Sequence, residues 1–256
     1  MIIQVLLLVY RNLVASIDKL FLIWQVAFPV VYIFIAGYAY SSLIGDHTIK
    51  FYGISVTYPS YLTAGMIGFN VMNGSTIAGS IIWNDKRNGM FHQLLVMPFT
   101  KAQYIISTLL TIIIIGFASA TLIVIIGLPT ILVHLNITLW SLFYTVYALA
   151  IGAIFFGSFT IIISTKIKSS ESFNVISNGI FLFFAFASSA FYPAQTLTEP
   201  LRSIFYINPL TYIVDISRAG IFSQISTFTN IQVLVITVLS IAVFFMAMIS
   251  MVKMKI

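Results

Sequence analysis

Charged residues divide this chain into long apolar intervals: 20–45, 51–84, 102–165, 172–198 and 219–252 contain no Asp, Glu, Lys or Arg. A helix crosses a bilayer with about 20 mostly apolar residues, so four of these intervals hold one span each. The longest, 102–165, is interrupted at Gly127-Leu128-Pro129 through His134, Asn136 and Thr138, where turn-forming and polar residues gather, and it holds two. The pattern predicts six transmembrane helices, at about 20–44, 60–83, 104–127, 138–163, 172–193 and 228–251. Ahead of them, Gln4, Arg11, Ala15 and Asp18 recur at helical spacing among Leu, Val and Ile. That spacing predicts an interfacial helix over 1–19. Its basic residues follow the apolar run rather than precede it, which excludes a signal peptide. The expected fold is an all-α integral membrane protein, a single domain over 1–256.

Composition removes other classes. Of 256 residues, 60% are hydrophobic and 7% charged, against about 25% charged in a soluble domain, so the chain cannot coat a soluble surface. The lack of cysteine excludes disulfides, thiolate metal sites and cysteine nucleophiles. The net charge of +6 is explained by topology. Arg11, Lys19, Lys86, Arg87, Lys101, Lys166, Lys168, Lys253 and Lys255 fall on one side of a six-span chain, and only Lys50, Arg202 and Arg218 on the other. The positive-inside rule puts both termini in the cytoplasm, against anionic lipid. There is no basic stripe for nucleic acid.

The predicted span interiors hold no ionisable residue of the kind that marks proton relays or ion pathways. His47, His92 and His134 fall in loops without metal-binding spacing, so no metal is expected. Gly74-Ser75-Thr76 does not form a serine-protease loop, and no histidine follows His134. The chain has no Gly-x-x-x-x-Gly-Lys-Ser/Thr phosphate cradle. It is expected to be non-catalytic and without a cofactor, and any driving energy must come from another chain.

Two loops are informative. After Asp85, Lys86, Arg87 and Gly89, the residues Phe91, Leu94, Leu95 and Pro98 share one helix face. Such a helix outside the membrane either lies on headgroups or enters a partner's groove. In the segment from Pro193, Thr198 can cap a helix begun by Glu199 and Pro200, with Leu201, Ile204 and Phe205 on its apolar face. Asn208-Pro209 stops it. A second face follows at Tyr212, Ile213 and Ile216, with Asp215 and Arg218 spaced to pair. These outer re-entrant helices act either as a plug or as a gate. Two polar stripes complete the picture: Asn70, Asn73 and Ser80 with Thr76 beside them, and Asn174, Ser177 and Asn178. They must face protein or water, either bonding neighbouring helices or lining a path. Phe181, Phe183, Phe184 and Phe186 lie nearby.

The loop after the second span resembles the signature of the ABC-2 permease family on Arg87, Gly89, Phe91, Leu94, Leu95 and Pro98, with Met90 and His92 departing from the usual hydroxyl and acidic residues. Phe191-Tyr192-Pro193, Leu197, Glu199-Pro200-Leu201 and Asn208-Pro209-Leu210-Thr211-Tyr212 through Asp215 and Arg218 resemble that family's second hallmark. The resemblance implies the membrane subunit of an ABC exporter. Its coupling helix, from Asp85 to Pro98, would contact two copies of a separate ATP-binding subunit, which hold the ATP and Mg. It further implies a homodimer, or a pseudo-dimer with a related permease, with the first, second and fifth spans around a path for hydrophobic or amphipathic cargo. An ATP-independent carrier or channel, and a non-transporting scaffold, are the competing readings.

Overall fold

The structure is a computed structural model that describes residues 2–15, 18–44, 48–90, 93, 99–135, 137–167 and 169–254. It is 82% helical. The described elements are α1 (Ile2–Ala15), α2 (Lys19–Ile44), a hairpin of β1 (Ile49–Phe51) and β2 (Ile54–Val56), α3 (Tyr58–Gly74), α4 (Thr76–Arg87), α5 (Lys101–Ile131), α6 (Leu139–Lys166), α7 (Ser170–Phe186), α8 (Leu201–Ile207), α9 (Pro209–Ile221) and α10 (Thr227–Lys253). Among the described residues, four helices are long and apolar enough to cross a membrane: Lys19–Ser42, Lys101–Ile131, Leu139–Lys166 and Thr227–Lys253.

The second and fifth predicted spans take other forms. The second is two helices, α3 and α4, meeting at Ser75. The Ser75 hydroxyl donates to the Val71 carbonyl (2.7 Å), and the Ser75 carbonyl accepts from the Thr160 hydroxyl of α6 (2.9 Å). A side chain inserted into the helical ladder breaks it at that point. The fifth, α7, has 17 residues and ends at Phe186, short of the expected 193. Asn208 ends it by donating from Nδ2 to the carbonyls of Phe184 (2.8 Å) and Ala187 (2.7 Å).

Local chemistry sets the other boundaries. Thr100 with Gln103, Thr138 with Ser141 and Ser226 with Thr229 form reciprocal caps that start α5, α6 and α10. The helix after Pro200 is capped by Glu199, whose carboxylate accepts from the Ser203 backbone and hydroxyl, rather than by the expected Thr198 side chain. The hairpin was not foreseen. Its two-residue turn, Tyr52-Gly53, has positive φ at both positions (42° and 95°), the geometry that matches strand twist. Ile49 pairs Val56 and Phe51 pairs Ile54, placing buried Phe51 against Tyr61 and Phe222.

The core centres on α9, which packs on α3, α6 and α10. The expected half-embedded face is instead a helix buried almost all round, from Leu210 to Ile221 with only Tyr212 partly exposed. Small residues permit that approach: a Cβ on Gly220 would meet the Thr145 hydroxyl at 2.3 Å. On α8, by contrast, Phe205 is buried while Leu201, Ile204 and Ile207 face outward. Helix α1 lies along α5 with its polarity reversed relative to a soluble amphipathic helix. Asn12 is buried, and Leu6, Leu7, Tyr10 and Val14 face outward. Where lipid is the solvent, polar groups turn toward protein.

Candidate functional site

Three polar constellations lie along the α3–α4 column. The first surrounds Arg218, whose side chain is fully buried. Its Nε donates to the Tyr61 carbonyl (3.1 Å), Nη1 to the Ser189 carbonyl (2.7 Å) and Nη2 to the Ala190 carbonyl (2.8 Å). The guanidinium carbon lies 3.6 Å from the Tyr61 ring centroid, a cation–π stack. Asp215 completes the shell at 3.4 Å, one helical turn before Arg218. Its carboxylate accepts from the Ser189 hydroxyl (2.7 Å) and from Gln232 Nε2 of α10 (3.3 Å). Gly65 admits the guanidinium, since a Cβ there would stand 2.2 Å from Nη2. The cluster thus joins α3, the 187–191 turn, α9 and α10. Over it sits the hairpin, where burial raises the Tyr52 hydroxyl above the ordinary phenol range and the Asp215 charge adds to the rise.

The second constellation closes the far end of the column. Arg11 Nη2 lies 2.6 Å from Asp85 Oδ2, and the Tyr104 hydroxyl donates to the same oxygen (2.6 Å). Arg11 also donates to Asn12 Oδ1 (2.8 Å), whose amide donates to Thr111 (3.3 Å). Gln103 bonds Gln4 at 2.9 Å. These bonds pin α1 to α5 and to the end of α4. Asp85, expected at the contact with an ATPase, therefore turns its carboxylate inward. Arg87 is exposed, with its guanidinium 5.4 Å from the Trp83 ring centroid. Gly89 takes φ 68°, in the left-handed region that favours glycine, just past the end of α4. The remaining residues of that expected surface, Phe91, Leu94, Leu95 and Pro98, lie outside the described residues.

Midway, Ser119 of α5 accepts from Asn70 Nδ2 (2.6 Å) and Gln25 Nε2 (3.3 Å), linking three helices. The two polar stripes therefore do not share one direction. Asn70 and Ser177 are buried, Asn73 is half-buried, Thr76 donates to the Asn73 carbonyl near the end of α3, and Ser80 to the Thr76 carbonyl of its own helix. Asn174 and Asn178 are exposed on α7, as are Phe183 and Phe186, while Phe181 is buried and Phe184 stacks near Phe156. Between α7 and α8, Pro193 is buried and Glu199 and Pro200 are exposed. Asn208 caps α9 through Leu210 N (2.9 Å) while its amide holds the end of α7.

Gln25, Ser119, Tyr61, Ser189 and Gln232 had not been singled out from the sequence. Gln25 and Gln232 carry a usable signal, because a glutamine in an otherwise apolar span needs a partner. Nothing local marks Ser189, which enters through its position in a turn.

Comparison with curated proteins gives no match. The family model of the ABC-2 type transporter matches residues 3–222, from α1 through the end of α9. That match takes in the three constellations except for Gln232, which lies on α10 beyond it, and the described residues include four helices long and apolar enough to cross a membrane. The chain therefore belongs to the ABC-2 type transporter family, and is a multi-pass membrane transport component rather than itself an enzyme.

Proposed function

We propose that this chain is the permease subunit of an ATP-driven exporter, forming the path for a hydrophobic or amphipathic substrate and drawing its energy from two separate ATP-binding subunits, which hold ATP and Mg. The family match carries the reading, and a sequence without a phosphate-binding loop is consistent with hydrolysis on a partner. Six crossings with both termini in the cytoplasm fit the nine-to-three division of Lys and Arg. Tyr58–Arg87, although broken at Ser75, rises about 45 Å as helix, enough for a hydrocarbon core of about 30 Å. Asn174 and Asn178, exposed one turn apart on α7, support a second copy of the chain closing that face around the path.

In this reading the Gly89–Pro98 loop takes the push of the ATPase, with Arg87 beside it. Asp85 positions the loop rather than touching the partner, because its clasp with Arg11 and Tyr104 joins the end of α4 to α5. At the other face α9 is held by the Arg218 cluster, so the moving outer element is α8, with Leu201, Ile204 and Ile207 unpacked.

Co-purification tests the partnership. Gly89→Pro and Leu94→Asp are expected to lose the ATP-binding subunit while inserting into membrane normally. Both variants retaining it at the wild-type level would show that this loop is not the contact. Liposomes holding both subunits are expected to transport only with ATP. Transport by the chain alone would establish the carrier reading, and no transport under any condition the scaffold.

A further inference from the structure

Three lysines far apart in sequence converge on one pocket. Lys86 near the end of α4, Lys166 ending α6 and Lys253 ending α10 line a space of about 530 Å³ together with Ile162, Met246 and Ile249. Thr165 and Ser250, joined by a hydrogen bond, lie between the two kinds of wall. A neighbouring pocket of about 260 Å³ shares Lys86 and adds Arg87, Trp83 and Ile167. Among the described residues, no acidic side chain lines either space. None of the three lysines makes an ion pair among the described residues.

Lysines commonly end helices because each helix terminus carries about half a negative charge. That explanation is weakest for Lys253. The carbonyls of Met251 and Val252, at the end of α10, already accept from Lys101 Nζ (3.2 and 3.3 Å). Three ammonium groups against about half a charge per helix end leave the pocket net positive. Its chemistry is graded: cations at the rim, hydroxyls below, and an aliphatic wall continuous with the faces of α6 and α10, both long enough to cross a membrane. A soluble anion uses only the rim. A phospholipid uses all three zones.

We propose that the ends of α4, α6 and α10 form a binding site for an anionic phospholipid, with its phosphate among Lys86, Lys166 and Lys253 and an acyl chain along Ile162, Met246 and Ile249. The site needs only that α6 and α10 cross the membrane, and it is independent of the contact with an ATPase.

The test titrates the purified full-length chain, in neutral detergent, with phosphatidylglycerol or phosphatidylcholine and counts bound lipid by native mass spectrometry. Wild type is expected to prefer phosphatidylglycerol, and each Lys→Gln change at 86, 166 or 253 to weaken that binding about fivefold, with phosphatidylcholine unaffected. Ile249→Trp, which fills the wall and leaves every charge, is expected to weaken it as well, and serves if the lysine variants fail to fold. Soluble glycerol phosphate is expected not to displace the lipid. Equal binding of the two lipids by wild type overturns the site, as does displacement by glycerol phosphate. An unchanged lipid preference in the lysine variants with loss of the co-purifying ATP-binding subunit also overturns it, assigning the lysines to that protein instead.

Discussion

Arg218 and Arg11 each face an aspartate, yet the two pairs are built differently. Arg218 is wholly buried, and its shortest bonds go to the carbonyls of Tyr61, Ser189 and Ala190, with Asp215 more distant at 3.4 Å. Arg11 keeps 22% of its side chain exposed and makes its short contact, 2.6 Å, with the carboxylate itself. Tyr61 and Asp85 are separated along the α3–α4 column by about 36 Å of helical rise. At one end, then, an arginine serves chiefly as a fork of hydrogen-bond donors that satisfies buried turn and helix carbonyls. At the other, it serves as a charge clip at a wetted edge. Buried donors are costly to remove because their acceptors are left unpaired, whereas partly exposed pairs are screened.

The sharpest break of this comparison is Arg218→Ala, expected to cost about 3–5 kcal/mol in thermal or denaturant unfolding of the purified chain. Arg218→Lys should recover little, since a compact ammonium cannot match three divergent carbonyls and a ring face. Substantial rescue by lysine would mean that charge, not the fork, holds this cluster. Next comes Gly65→Val, which drives a side chain into the guanidinium and should cost about 2–3 kcal/mol by overpacking. At the other end, Asp85→Asn should cost about 1–2 kcal/mol, lowered from the buried-pair range by exposure. A double-mutant cycle on Arg11 and Asp85 should return most of that as coupling energy. If the cycle is additive, the clip is geometric rather than electrostatic. Smallest is Asn208→Ala, about 1 kcal/mol for a lost helix cap, read best as faster hydrogen exchange at Leu210 and at the end of α7. Protection unchanged there would separate Asn208 from both helices.

The long crossings were legible because lipid imposes a coarse rule, about 20 apolar residues without charge, that a linear pattern displays directly. Features set by distant partners were not. At Ser75 the Gly74-Ser75 pair offers a local sign of a bend, but the bond from Thr160, 85 residues on, that holds the Ser75 carbonyl has none. For α1, spacing marked an interfacial helix, and its outward apolar side is compatible with that, but spacing did not show that Asn12 and Arg11 bind α5 and the end of α4. The i,i+3 spacing of Asp215 and Arg218 showed that they can pair. It gave no hint of the three carbonyls, because those arrive from Tyr61 and the 187–191 turn. The hairpin at 49–56 is too short for periodicity, and its turn pair was the only available sign.

The Arg218 cluster also bears on biogenesis. Its acceptors at Tyr61, Ser189 and Ala190 are synthesised before the arginine, and Gln232, which donates to Asp215, only after it. When α9 leaves the ribosome its guanidinium can already dock and Asp215 Oδ1 can already accept from Ser189, but Asp215 Oδ2 waits for Gln232 until α10 emerges. Completion of this polar joint therefore waits on α10, the helix that carries Gln232, so the cluster couples the placement of α10 to that of α9.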